Sequence, residues 1–405
     1  MKTNIKQKIN GIWQLNWVNF FMSDMMAGIG PFLGIFLLAH GWQTSLIGTV
    51  MTIGGIAGIL MTAPSGALVD ASTHKRWLVI IPGVLTVLAS GSILYSQSFW
   101  FVTASQILTA IAGSAVGPAV IGITLGIVGQ KYFNKQNGIN QAYNHAGNVA
   151  GAALSGYLGM KYGMPAIFLL AALFGILSII SVLMIPDNAI DNRIARGLNK
   201  QKLENEKISG VSILFKKKEL LILAACLACF HLGNGAMLPL YGMAAATNKV
   251  GNASMFVAMT IVIAQLVMVV ASLVAMRMAE NKGYWIVLLI SFIALPVRGF
   301  IASHMISNVG IYPVQMLDGV GAGLQSVAVP GLVAKILNGS GRINVGQGAI
   351  MTVQGAGASL SPALGGWMVH FIGYGKTFLI LGCFALISIL LWSIFYKPLK
   401  ECCKP

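Results

Sequence analysis

The sequence predicts an all-α integral membrane protein in which twelve transmembrane helices form two pseudo-symmetric six-helix bundles. Composition is one reason, because 56% of the residues are hydrophobic and only 9% are charged, with a mean hydropathy of +0.79. A soluble domain of this size does not need that balance. An internal repeat is the other reason: the tripeptide Met-Thr-Ile at 51–53 returns at 259–261, and Pro31 returns as Pro239 at the same spacing.

Twelve apolar runs are long enough to cross a bilayer, which takes about 20 residues per helix. A β-barrel would show shorter segments of alternating polarity, so the continuous runs exclude it. Two related membrane-spanning halves are the usual architecture of a secondary transporter, whose substrate sits near the midplane between them. The runs lie near 13–39, 44–69, 77–96, 99–128, 138–160, 165–185, 220–246, 252–276, 285–303, 308–337, 346–371 and 376–396.

A polar stretch from Pro186 to about Glu219 separates the sixth run from the seventh. We therefore predict an N-terminal bundle at 1–186, a cytoplasmic linker at 187–219 and a C-terminal bundle at 220–405. Both an amphipathic helix lying on the membrane and a solvated basic tether fit the linker.

The formal net charge of +16 is explained by membrane topology rather than by nucleic acid binding. Basic residues gather at both termini, in the linker and in alternate loops, whereas the opposite side holds only Lys161, Lys249 and Lys376. The positive-inside rule then places both termini in the cytoplasm, in a bacterial inner membrane whose anionic lipids the basic side contacts. The basic start is predicted to be part of a retained first helix, because the apolar run after it is too long for a signal peptide.

Several classes of protein are excluded. No P-loop spacing occurs, which argues against an ATP-driven pump. The Cys226 and Cys229 pair lies inside an apolar helix, where packing is a better explanation than metal or redox chemistry, so no metal and no cofactor is expected. No acid/base cluster at one interface indicates an enzyme, and no repeated pore loop indicates a channel.

The loop after the second run carries a family motif. Its residues 66–76 read GALVDASTHKR, which resembles the major facilitator superfamily signature G-x-L-x-D-[RK]-x-G-[RK]-[RK], although Ala71 and Thr73 depart from it. A degenerate copy stands at 277–283, where the repeat predicts it. With the twelve runs, the repeat and the basic linker, the resemblance covers the whole chain. The matching positions are Gly66, Leu68, Asp70, Lys75 and Arg76.

These loop residues are expected to act as a gate rather than to touch substrate. Gly66 would let helices approach closely, while Asp70 would cap a neighbouring helix and pair with a cytoplasmic cation, with Lys75 and Arg76 beside it. A solvated loop carboxylate is the alternative for Asp70. A glycine-proline element of family exporters is incomplete in the fifth run, where Ala152 replaces the proline, so the direction of transport stays open.

Three charged residues fall inside apolar runs and away from their ends: Asp24, Arg298 and Asp318. Charge in the hydrocarbon is costly, so such residues normally face a wet cavity or a partner and are candidates for function. For Asp24 and Asp318 we predict proton coupling, because desolvation favours the protonated carboxyl group. The alternative is structural pairing, for which Arg298 is the obvious partner of Asp318 or of an anionic substrate.

Histidines and amides inside the runs complete the candidate cavity. His145 and His231 can titrate near physiological pH, although hydrogen-bonded packing is the commoner role. Helix-embedded amides either line a polar cavity or join helices. The resemblance implies that the first, fourth, seventh and tenth spans line the cavity, so seven side chains are expected to converge there: Asn19, Asp24, Gln106, His231, Asn234, Gln315 and Asp318. The other amides are Asn144, Asn148, Gln325 and Gln354.

The sequence thus predicts a monomeric secondary active transporter that moves a small organic solute by alternating access, coupled to protons. Export of a drug or metabolite is favoured, because an acid in an otherwise apolar cavity suits neutral or cationic amphiphiles. Uptake of a nutrient such as a nucleoside, an amino acid or a siderophore is the alternative, and Arg298 together with the amides would favour it. Membrane lipids and protons are the other expected partners.

Overall fold

The computed structural model describes residues 2–27, 29–195, 216–338 and 343–404, and within these ranges it contains helices and turns but no strand. One short 3-10 helix lies at Asp187–Ala189, and the other helices of the described residues are α-helices. They are α1 (Lys2–Ala27), α2 (Ile29–Ala39), α3 (Thr44–Ala71), α4 (Trp77–Ser92), α5 (Phe99–Tyr162), α6 (Met164–Leu183), α7 (Asn192–Ala195), α8 (Lys218–Asn234), α9 (Met237–Thr247), α10 (Ala253–Lys282), α11 (Tyr284–His304), α12 (Ile311–Ile336), α13 (Ile343–Ile372), α14 (Tyr374–Ile394) and α15 (Tyr396–Leu399).

Each of the twelve predicted runs coincides with helix, which confirms the all-α membrane fold. Among the described residues, eight helical stretches are long and apolar enough to cross a membrane, and two shorter apolar helices accompany them. Predicted runs four and five both lie in α5, where Gly129 at φ 73° interrupts the helical geometry. Glycine adopts this left-handed conformation at little cost, so the chain can bend there.

Contacts divide the chain into two units, Met1–His40 with Ile53–Lys202, and Gly41–Thr52 with Leu203–Pro405. The bundle boundaries at 186 and 219 stay a prediction, and positions 196–215 of the linker lie outside the described residues. In the first unit, α1 and α4 each pack against α5 and α6. Fully buried Leu15, Val116 and Val182 belong to the hydrophobic core that joins these helices.

The second unit is built on close helix pairs. In it α10 packs on α12, α11 on α12 and α14, and α8 on α13 and α14. A Cβ added to Gly319 would lie 2.6 Å from the carbonyl oxygen of Ala264, and one added to Gly323 would lie 2.7 Å from that of Met268. Only glycine fits such distances, so these two residues set how near α12 approaches α10.

The first turns of α3 also belong to this second unit. Thr44 Oγ1 donates a hydrogen bond to the carbonyl oxygen of Gly366 at 3.1 Å, and the Ala363 amide donates to Thr52 Oγ1 at 2.9 Å. Between them, a Cβ on Gly48 would lie 2.0 Å from the Pro362 carbonyl oxygen. Because that oxygen is backbone, it cannot move aside as a side chain would, and this contact requires glycine.

Candidate functional site

A buried ion pair lies in the interior of the second unit. Arg298 on α11 places Nη1 2.7 Å from Oδ1 of Asp318 on α12. The side chain of Arg298 is 1% exposed and that of Asp318 is 16% exposed. The backbone beside Arg298 is held close to α14, because a Cβ on Gly299 would lie 2.6 Å from the Phe378 carbonyl oxygen. The exposed fractions of the two side chains make Asp318 the more accessible member of the pair.

Two amides complete the cluster around the guanidinium. Arg298 Nη1 also donates to Asn234 Oδ1 at 2.6 Å, and Arg298 Nη2 makes a long contact of 3.4 Å with Gln315 Oε1. Asn234 Nδ2 in turn donates to Asp318 Oδ1 at 3.4 Å. Gln315 stands three residues before Asp318 on α12, so both side chains lie on the same face of that helix. Four candidate residues from the sequence thus meet in one cluster.

The cluster contains more hydrogen-bond donors than acceptors. Within the described part of the chain, Arg298 Nε and Gln315 Nε2 are buried and have no hydrogen-bond partner. The acceptor oxygens of Asn234 and Gln315 each receive a bond from the guanidinium. Buried donors normally find a partner, so each exception needs an explanation.

A break between two helices positions Asn234. It is the last residue of α8, and α9 begins three residues later at Met237. The backbone amide of Ala236 in the gap donates to Ser361 Oγ of α13 at 2.8 Å, which satisfies a group that the broken helix leaves free. Along the sequence repeat, Pro31 of α2 corresponds to Pro239 of α9.

Polar side chains continue from the cluster along α8 and α12. His231 lies one turn before Asn234, and its Nε2 accepts a hydrogen bond from Gln354 Nε2 of α13 at 3.1 Å. Gln325 Nε2 of α12 donates to Ser291 Oγ of α11 at 2.9 Å. These side-chain bonds join α8 to α13 and α12 to α11.

The first unit holds a network of neutral groups that the sequence reasoning missed. Gln136 Nε2 donates to Asn16 Oδ1 at 2.8 Å and to Asn140 Oδ1 at 3.0 Å, and Asn140 Nδ2 donates to Thr124 Oγ1 at 2.9 Å. The signal was present in the sequence, because amides stand at every fourth position from 136 to 148 and therefore share one face of α5.

The remaining candidates of the first unit are placed separately. Asn148 donates to Asn144 at 3.2 Å, and Asn144 donates to the Asn19 carbonyl oxygen at 3.5 Å. The Asn19 side chain itself donates to a carbonyl oxygen of its own helix. Gln106 packs against Gly54, and His145 is half-buried on α5. The side chain of Asp24 lies outside the described residues, and convergence of the seven residues across the two units stays a prediction.

The signature loop is anchored to neighbouring helices. Lys75 is 1% exposed and its Nζ donates to the Val69 carbonyl oxygen at 2.7 Å. Arg76 Nη1 donates to the Ile185 carbonyl oxygen at 2.6 Å, and Nη2 forms an ion pair with Asp187. The two basic residues therefore hold the loop between the end of α3 and the chain after α6.

Two other expectations for this loop have different outcomes. A Cβ added at Gly66 would meet nothing within 4 Å among the described residues, so these show no close helix approach at Gly66, and its part in the gate stays a prediction. Glycine contacts of that kind lie elsewhere, at Gly48 and Gly319. The side chain of Asp70 is outside the described part, and its gating role stays a prediction.

Comparison with known proteins identifies the family. The model of the Major Facilitator Superfamily matches residues 15–345. The chain belongs to the major facilitator superfamily. It is therefore an integral membrane transporter and not an enzyme. Two Mycobacterium tuberculosis relatives, from strains CDC 1551 / Oshkosh and ATCC 25618 / H37Rv, each carry the name uncharacterized MFS-type transporter. Each is 36% identical over 382 residues, which is 94% of this chain and 91% of the relative.

Further members of the superfamily are similar over part of the chain or in fold. The multidrug resistance protein MdtG of Dickeya zeae is 26% identical over 148 residues, 36% of each chain. The crystal structure of the nucleoside transporter NupG has a TM-score of 0.73 at 17% identity and covers 98% of this chain and all of NupG. A point mutant of NupG has a TM-score of 0.76 at 14% identity, covering 96% and 100% of the two chains.

Proposed function

We propose that this superfamily member is a proton-coupled transporter that moves a polar small organic solute by alternating access and carries the proton on Asp318. The observation that carries the proposal is the ion pair of Arg298 and Asp318 in the interior of the apolar helices. The protein would act as a monomer in a bacterial cytoplasmic membrane with both termini inside, as the basic loops favour. Its partners are the solute, protons and membrane lipids.

The coupling follows from the cost of a buried unpaired charge. A guanidinium that is 1% exposed needs a counter-ion, since several kcal/mol are lost when it has none. Asp318 is the reachable member, so protons enter and leave there. Protonation of Asp318 neutralises the carboxylate that faces Nη1 of Arg298. The guanidinium is then without a counter-ion and binds the solute. One buried cation thus makes proton binding and solute binding depend on each other.

The helix break at the cluster supports a binding role. Transporter substrate sites commonly lie where spanning helices are interrupted at corresponding positions of the two repeats. Asn234 ends α8 at such an interruption in the second half. The proposed solute site is therefore the cluster of Asn234, Arg298, Gln315 and Asp318.

The geometry supports a polar solute over the neutral or cationic amphiphile that the sequence favoured. A cation needs a free carboxylate, but Asp318 already pairs with Arg298 and accepts from Asn234. Uptake of a polar nutrient becomes the first candidate for this reason. Export of a drug is the second candidate, and the similarity to a multidrug resistance protein over 36% of the chain favours it.

Transport in proteoliposomes tests the proposal. Labelled nucleosides, amino acids, a ferric siderophore and tetraphenylphosphonium are offered under an imposed pH gradient of either direction. For the solute that accumulates, Asp318→Asn should abolish gradient-driven accumulation but retain exchange of labelled for unlabelled solute. Glu280→Gln, which neutralises an exposed acid at the end of α10, is the matched control. Normal accumulation by Asp318→Asn would refute proton transfer at Asp318.

A further inference from the structure

The guanidinium of Arg298 is occupied on one side only. Nη1 donates to both Asp318 and Asn234, whereas Nη2 reaches only Gln315 at 3.4 Å and Nε reaches no partner among the described residues. A carboxylate that pairs well with arginine usually takes two parallel N–H groups. Asp318 instead uses a single oxygen on Nη1. The edge formed by Nε and Nη2 is therefore left without a carboxylate.

A second buried donor lies beside this edge. The Gln315 side chain is anchored through its Oε1 to Arg298 Nη2, and its Nε2 has no partner within the described part of the chain. Gln315 is 0% exposed, so water does not reach it at the surface. A buried donor without an acceptor is unfavourable, because it has lost its hydrogen bond to water and gained none in the protein. The cluster therefore lacks acceptor oxygens rather than donors.

We infer that this site binds the carboxylate of an organic acid. Its two oxygens would accept from Nε and Nη2 of Arg298 and from Nε2 of Gln315. The inference rests on the proposed function, because the carboxylate becomes the counter-ion of Arg298 when Asp318 takes up a proton. One proton and one carboxylate then enter together, and the net charge of the cluster does not change.

Other solute classes satisfy the cluster less well. A neutral carbonyl group would accept the free hydrogen bonds, but it would leave Arg298 without a counter-ion once Asp318 is protonated. An amine would bring further donors to a site that already has too many, and its positive charge would face a guanidinium. Of these three groups, only the carboxylate supplies both the acceptor oxygens and the negative charge.

The charged surroundings do not supply another counter-ion. Among the described residues, His231 on α8 and Tyr241 on α9 are the nearby titratable side chains of the helices around the pair. His231 is neutral when it is deprotonated, and Tyr241 is neutral when it is protonated. Neither side chain is therefore an anion near neutral pH. The charged residues of α10 stand near its end, at Arg277, Glu280 and Lys282. Asp318 is thus the anion that a solute carboxylate would replace.

Matched probes test the chemical class. The purified full chain is titrated calorimetrically at pH 7 with benzoate, phenylacetate and nicotinate, and with the primary amide and the amine of the same skeleton. We expect at least one acid to bind at least about tenfold more tightly than its amide, which corresponds to one charge-assisted hydrogen bond. Equal binding of an amide or an amine, or no binding of any acid, would overturn the inference.

Variants test the contacts. Arg298→Lys keeps the charge but removes the Nε and Nη2 edge, and should weaken the acid about tenfold or more. Gln315→Leu removes the second donor and should weaken it less, while Arg277→Lys at an exposed position should change nothing. Gel filtration and melting confirm that each variant is folded. Full acid affinity in both folded site variants would contradict the assigned contacts.

Proton uptake separates this inference from the proposed function. Titration in buffers of different ionisation enthalpy should report close to one proton bound per acid in the wild type and none in Asp318→Asn. Acid binding without proton uptake in the wild type would refute coupling through Asp318 and leave the solute class standing. Proton-linked binding of an amine would refute the solute class and leave coupling standing.

Discussion

Removing both members of the buried pair should destabilise the protein less than the sum of the two single removals. Asp318→Asn preserves shape and leaves an oxygen for Nη1, yet Arg298 at 1% exposure keeps a charge with no counter-ion. Breaking a buried pair in this way costs about 3–5 kcal/mol of unfolding free energy. Since the new amide still accepts a hydrogen bond, we expect the lower end, about 3 kcal/mol.

The reverse change should cost less. Arg298→Gln leaves Asp318 unpaired, but this side chain is 16% exposed and can also take up a proton. We expect a loss of about 2 kcal/mol, below the range for fully buried pairs. The double variant contains only neutral polar groups, so its loss should be smaller than the sum by about 2 kcal/mol, within the range measured for contacting residues.

Equilibrium unfolding in detergent micelles, followed by tryptophan fluorescence, measures this double-mutant cycle. Arg277→Gln and Glu280→Gln form the control cycle at exposed positions of α10, where each change should stay within about 0.5 kcal/mol. A coupling energy below about 0.5 kcal/mol between Arg298 and Asp318 would refute the reasoning, because additivity is what independent sites show.

Three further outcomes are expected. Gly48→Leu should lower the melting temperature strongly, since its Cβ would lie 2.0 Å from the Pro362 carbonyl oxygen, whereas Gly66→Ala should leave melting unchanged because that position is open. Arg76→Gln should speed hydrogen exchange after α6, where Arg76 holds two carbonyl oxygens, and unchanged exchange would show that these bonds are unimportant. A hydrogen bond with the adjacent thiol of Cys403 lowers the pKa of Cys402, so its thiolate should form, and its alkylation rate reach half its maximum, at a lower pH than for an ordinary thiol.

The apolar stretches that the described residues form into helices could be predicted from the sequence. A bilayer offers no water to the backbone, so a long apolar run must be helical whatever surrounds it. This rule is local, and for that reason the twelve runs and the all-α class agree with the structure. The family also follows from local residues, because the loop motif and the repeat are read along the chain without any knowledge of packing.

Which polar side chains meet was decided only by tertiary structure. Asn234, Arg298 and Asp318 lie on three helices, and hydropathy does not give the rotation of a helix about its axis. That rotation is fixed by close contacts, such as Gly319 against α10 and Gly299 against α14, which no single run encodes. The sequence could therefore nominate the charges that membrane burial makes costly and offer Arg298 as a partner for Asp318, but only packing could choose that pairing among the alternatives and leave part of the guanidinium free.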